Sequence, residues 1–237
     1  MKTLLAAIVL AIPCLCAPAW AAAPAKPVAP VTPAPPRAAA VPAPPPVPQL
    51  TEFAGLVYSG IVGEDAPELA IDFTAGATLG GAPLAFETTH LDDLQKQFGG
   101  TLQKGDGDPG PTWLCLTRHA RTKADTPQTV WFISSSADHG LGLVAVEQVD
   151  AARKDGCATA PATFDFPKFG VPAPGAGLAD LKARFGEAKR DKQGNVYYAS
   201  ARPLNDGSGN TVYQTLGYRV NRKGVVTGIT MGQTTTH

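Results

Sequence analysis

Four histidines, a serine cluster, two acidic glycine loops and two cysteine pairs are the residues in this chain whose types could do chemistry. His90, His119, His139 and His237 fall in no H-x-x-x-H or related metal-ligand spacing. Ser134-Ser135-Ser136 ends a strand-like run near Asp138 and His139, but no G-x-S-x-G elbow presents a nucleophile. Gly105-Asp106-Gly107-Asp108-Pro109-Gly110 brings two carboxylates together. It lacks the further oxygen ligands and distal Glu of a calcium loop, and Pro109 breaks the register. Asn205 to Asn210 reads as a hairpin turn, and neither glycine cluster opens a helix as a phosphate cradle must. The expectation is a non-enzymatic protein with no catalytic residue, no metal site and no cofactor.

The N-terminus explains which cysteines matter. Lys2, the apolar stretch Leu4–Leu15 and the small residues flanking Trp20 in Ala19-Trp20-Ala21 form a secretory signal, predicted to be cleaved before Ala22. The apolar stretch is shorter than the roughly 20 residues a membrane span needs. Neither Cys14 nor Cys16 has the preceding residues of a lipid-modified cysteine, so both are read as part of residues 1–21 and lost with them. The mature protein then keeps only Cys115 and Cys157. In an oxidising compartment such a pair most often closes a disulfide. A reactive thiol would need an activating charge nearby, and a metal site would need more soft ligands.

Residues 22–48 are almost wholly Ala, Pro and Val, with Lys26 and Arg37 the only charges. Such a segment has too few large apolar groups to offset its ordering entropy and reads as a disordered spacer spanning about 80 Å. It is also a candidate ligand for aromatic grooves. The folded part is residues 49–237. The whole chain has 20 basic and 20 acidic residues, but Lys2, Lys26 and Arg37 precede Gln49, so this part is acidic by three charges. The signs are interspersed with no basic stripe, which argues against nucleic acid as a partner, and no integral membrane segment remains after cleavage.

Within residues 49–237 a motif recurs. Leu91-Asp92-Asp93-Leu94-Gln95-Lys96-Gln97-Phe98-Gly99 returns as Leu178-Ala179-Asp180-Leu181-Lys182-Ala183-Arg184-Phe185-Gly186, with five of nine positions identical. Apolar residues at i, i+3 and i+7 share one face of a short helix, and the closing glycine suits a left-handed helix end. Thr89 and Asp92 suggest a cap for the first copy, whereas the second shows none. Short strand signals precede the copies, Ile71–Phe73 and Phe164–Phe166. Three strand-like runs follow each: Thr112–Arg121, Thr129–Ser136 and Leu141–Val149, then Asn195–Arg202, Thr211–Val220 and Val225–Gln233. The expected fold is α+β: two tandem helix-plus-three-stranded antiparallel meander units, about 69–157 and about 162–237, with both helices on one face of the sheet.

The repeated L-x-x-L-x-x-x-F-G helix and meander resemble the β-lactamase-inhibitor-protein/SmpA–OmlA superfamily of exported bacterial proteins. Thr112-Trp113-Leu114-Cys115, Val130-Trp131-Phe132-Ile133-Ser134 and Cys157 are similar to a pattern in uncharacterised exported proteobacterial proteins, though Leu116 stands where an aromatic is expected. The resemblance implies non-catalytic protein binding through an open sheet face. Alternation in Thr211–Val220 places Val212, Gln214, Leu216, Tyr218 and Val220 on one face, and Tyr213, Thr215, Gly217 and Arg219 on the other. Trp113, Trp131, Tyr213 and Arg219 are therefore the candidate partner-binding residues. The expected function is a periplasmic or secreted domain that binds another exported or envelope protein. The alternatives are an inhibitor of an exported hydrolase, such as a β-lactamase or protease, and a small-ligand-binding envelope protein.

Overall fold

A computed structural model describes residues 66–105, 110–134, 142–152, 156–188, 190–191, 194–204 and 206–236. The signal peptide, the spacer and residues 49–65 lie outside the described residues. In chain order the elements are β1 (Thr78–Leu79), β2 (Ala82–Pro83), α1 (Leu91–Phe98), β3 (Leu102–Lys104), β4 (Thr112–Arg118), β5 (Gln128–Ser134) and β6 (Leu143–Val149). There follow β7 (Ala158–Thr159), α2 (Leu178–Phe185), β8 (Val196–Pro203), β9 (Thr211–Val220) and β10 (Val226–Thr236).

The expected α+β fold of two tandem helix-plus-meander units is overturned. Ten strands in two sheets stand against two helices of eight residues each, so the described chain is mostly β. One sheet carries eight strands in the order β3-β4-β5-β6-β10-β9-β8, and β7 joins it by pairing in parallel with β4. β1 and β2 form a separate antiparallel ribbon. The physical reason is length. Each helix is only two turns, too short to form a layer of its own, whereas β9 and β10 run to 10 and 11 residues and zip onto each other along their length. Antiparallel pairing of β10 with β6 then makes the sheet continuous.

Other expectations are also corrected. Neither Ile71–Phe73 nor Phe164–Phe166 is a strand; Phe73 instead starts a single 3-10 turn, Thr74–Gly76. Both phenylalanines are buried, so these aromatic signals mark anchors that pin irregular chain to the core. Thr89 does not cap α1; His90 holds the N-cap position without a side-chain bond. α2 does have a cap: the Asp180 carboxylate accepts the Gly177 N–H at 2.7 Å, reaching back from the third helical position. Gly99 and Gly186 end the helices at φ 76° and 84°, where a β-carbon is costly.

Leu91 and Leu94 of α1, and Leu181 and Phe185 of α2, are buried in the principal core. They cover one face of the large sheet, against Leu114, Leu116, Val130, Phe132, Val146, Leu216, Tyr218, Ile229 and Met231. Phe185 is the centre of an aromatic group, its ring 4.8 Å from Tyr198 and 5.9 Å from Phe73. Such large buried side chains dominate the apolar stabilisation of a domain of this size.

The chain ahead of α1 is fastened to the same face by polar groups. The buried Gln214 side chain accepts the Phe73 N–H at 2.8 Å and donates to Asp72 at 2.7 Å, Thr74 at 2.9 Å and Gln233 at 2.9 Å. Arg202 pairs with Asp72 at 2.8 Å. Glu87, at φ 65°, accepts the Thr235 N–H and hydroxyl and the Gln233 amide. Three hydrogen bonds to one carboxylate hold a non-glycine residue in a conformation it rarely adopts.

A candidate partner-binding face

Strand registers assemble the sheet face opposite the helices. One row runs Cys115, Trp131, Glu147, Thr230, Gly217, Tyr197, each opposite the next on the neighbouring strand. The adjacent row runs Trp113, Ile133, Ala145, Gly232, Thr215, Ala199, and beyond it lie Thr234, Tyr213 and Ala201. On the other side Gly228 pairs with Arg219. All four candidate residues, Trp113, Trp131, Tyr213 and Arg219, are thus on the same face, because alternation carries through consistent antiparallel registers.

They differ in access. Trp113 and Trp131 are only 8 % and 5 % exposed and belong to a second buried cluster with Cys115, Ile133, Val144, Ala145 and Val149. Tyr213 and Arg219 are half-buried. The face therefore divides into a closed part over β4–β6 and an accessible part over β8–β10. Tyr197, Ala199 and Ala201 share the accessible part. Tyr197 was missed in the sequence, although the alternation Val196, Tyr198, Ser200 against Tyr197, Ala199, Ala201 was there to read.

The closed part is held by covalent and polar links. Cys115 and Cys157 form a disulfide, with Cα atoms 4.6 Å apart. The Trp113 indole N–H donates to Gln103 at 2.9 Å, and the Gln103 amide donates to the Gly156 carbonyl. Together these bonds hold the Gly156–Thr159 stretch on the outer edge of β4, where β3 and β7 share the pairing.

In the accessible part, burial pushes the Tyr197 hydroxyl up to about 12, and the neighbouring Asp191 carboxylate adds to the rise. Asp191 in turn accepts the Asn195 N–H at 2.8 Å and its side-chain amide at 2.9 Å, which orders the approach to β8. Tyr197 is accordingly a neutral, positioned aromatic ring at physiological pH. Tyr213 lies four residues from Gly217 along β9, about 13 Å at the rise of a strand. Ala199, Thr215 and Gly232 form a low floor between the two tyrosines.

The remaining groups singled out in the sequence do not join this face into a reactive site. His90 and His119 are exposed and far apart in the fold. His139, Asp138, Ser135 and Ser136, residues 106–109, Asn205 and His237 lie outside the described residues. Among the described residues no three His, Cys, Asp or Glu side chains gather as metal ligands, and no helix is long and apolar enough to cross a membrane. No protein-family model, curated protein or solved structure matches this chain.

Proposed function

We propose that the chain is an exported, non-enzymatic binding domain of the periplasm or medium that recognises another exported or envelope protein through the β8–β10 part of this face. The observation that carries the reading is the contrast across β8 and β9. Val196, Tyr198, Val212, Leu216 and Tyr218 are buried on the helix side, while Tyr197, Ala199, Ala201, Tyr213 and Arg219 stay half-buried on the other. Tyrosine and arginine on a rigid sheet are the residue types that most often dominate binding energy. The disulfide fits an oxidising compartment, and the signal-peptide reading of residues 1–21 points the same way.

The test is site-specific photocrosslinking in the exporting cell. A benzophenone side chain at Tyr213 should yield a discrete adduct with a second exported protein. The same group at Lys96, exposed on α1, should not. Equal adducts from both positions, or none from Tyr213, would overturn the reading.

The alternative of hydrolase inhibition draws on the β8–β9 turn. Asp206, Gly207, Ser208 and Gly209 are all exposed, and Asp206 accepts the Ser208 N–H at 2.9 Å. Hydrogen bonds from the Ser208 side chain and backbone hold its carboxyl below the ordinary range. A preorganised, charged turn is the shape of an active-site plug. Inhibition lost in an Asp206→Ala variant but kept in Tyr213→Ala would favour this reading.

A further inference from the structure

The accessible face ends at a group of cations. Arg219 lies on the face itself, opposite Gly228. Arg222 and Lys223 occupy the β9–β10 turn three and four residues further on, both exposed. That turn is built rather than loose: Asn221 accepts the Lys223 and Val225 N–H groups at 2.9 and 3.0 Å, and Gly224 closes it at φ 78°. Arg190, also exposed, bridges Val196, which is opposite Tyr218, so it reaches the same end from the helix side of the sheet. The four cations therefore come from three chain segments to one end of the sheet.

Among the described residues none of the four forms an ion pair; the pairs there are Lys96–Asp93, Lys182–Glu187 and Arg202–Asp72. Two carboxylates share this end, and among the described residues the four cations outnumber them. Asp191 is held by Asn195, and the half-buried Asp150 accepts from Gln128. The folded part of the sequence carries an acidic excess, so this local surplus of positive charge is not a consequence of overall composition. Like charges held in excess of the nearby counter-charges cost stability, and an anionic partner removes that cost. Three of the four are arginines, whose planar forks pair with carboxylates in a bidentate geometry. Two tyrosines continue the surface along the strand direction from the cations, which suits an extended chain better than a point anion.

We propose that the partner presents an acidic polypeptide segment, its carboxylates on Arg219, Arg222 and Lys223 and its apolar side chains between Tyr197 and Tyr213. This rests on the protein-binding reading above. The test uses the folded, oxidised protein and a fluorescein-labelled poly-glutamate peptide, with poly-lysine of equal length as control, followed by fluorescence anisotropy. Saturable binding of poly-glutamate alone is expected. It should weaken roughly tenfold or more in Arg219→Glu/Arg222→Glu/Lys223→Glu, and several-fold when salt shortens the Debye length from about 10 Å to about 3 Å. The circular dichroism melt of the variant, altered at accessible positions, should match the parent. No saturable binding at low salt, or binding untouched by the triple reversal, overturns the acidic partner; if the Tyr213 crosslink persists, the protein-binding reading survives it. Sedimentation with phosphatidylglycerol vesicles without poly-glutamate binding would assign the cations to lipid and also overturn the proposal. Loss of both peptide binding and crosslink removes the two readings together.

Discussion

Tyr197 rests on Gly217: two of its ring carbons lie 3.1 Å from where a β-carbon on Gly217 would stand, and the Thr230 methyl lies 2.7 Å from the same point. The two residues are direct cross-strand partners. A glycine inside a strand ordinarily weakens it, and here a neighbouring ring and methyl occupy the space a side chain would take. The accessible part of the face therefore depends on an absence of side chain at one position.

Gly217→Ala is expected to lower stability by about 1–3 kcal/mol, the range for overpacking a close-fitted site. Gly217→Val should cost more. Both should lift the Tyr197 ring, so the tyrosine that ionises near 12 in the parent should titrate closer to the ordinary 10. Thermal melts and absorbance at alkaline pH read the two effects. An unchanged melt in both variants would show that Tyr197 does not pack on Gly217.

The Cys115–Cys157 bond closes a separation of 42 residues. In the chain-entropy account a loop of that size is worth about 4 kcal/mol. Cys115→Ala/Cys157→Ala should lose most of that in chemical denaturation. Because Cys115 is opposite Trp131, reduction should also change tryptophan emission. Free thiols in non-reducing peptide maps of the exported protein would contradict the bond.

Asp72 gives the acid limb of stability a specific origin. Burial pushes its carboxyl up, but hydrogen bonds from Gln214 and Thr74 and the charge of Arg202 outweigh burial and hold it below its ordinary 3.8. A lowered folded value means that the folded state binds fewer protons than the unfolded one. The contribution is complete above about pH 4 and fades as pH falls through the folded value. Asp72→Asn should therefore cost about 1 kcal/mol at neutral pH, a low figure because the carboxylate is largely solvent-screened. The deficit relative to the parent should shrink toward pH 3. A deficit that grows on acidification would reverse the sign argued here.

Phe185 ties α2 to the sheet through contacts with Tyr198, Phe73 and Tyr218. Phe185→Ala should remove about 3–5 kcal/mol, as large-to-small changes in a packed core do. Arg184→Ala, one residue away but exposed, should stay within about 0.5 kcal/mol. Urea midpoints distinguish the two.

Particular elements show what a single sequence conveys and what it withholds. The helices at Leu91–Phe98 and Leu178–Phe185 were legible because their apolar residues repeat at helical spacing and a glycine follows each. The two faces of β9 were legible because alternation over ten residues is unambiguous, and Gln214 broke the apolar pattern only because Asp72, Thr74, Phe73 and Gln233 satisfy it across the fold. The cap of α2 was missed because its acceptor, Asp180, lies inside the helix instead of ahead of it. Phe73 and Phe164 were misread as strand residues because burial of an aromatic side chain does not require a ladder around it.

Local pattern thus determined the glycine ends of both helices, the alternation of strand faces and the pairing of two cysteines, since each depends on neighbours within a few residues or on the chemistry of one residue type. Tertiary structure alone decided that the strands form one continuous sheet through β6 and β10, making the described chain mostly β. It also decided that Trp113 and Trp131 are closed in while Tyr197, Tyr213 and Arg219 stay accessible. Alternation says which residues share a face. Only long-range packing says whether anything lies over it, because burial depends on segments far apart in the chain.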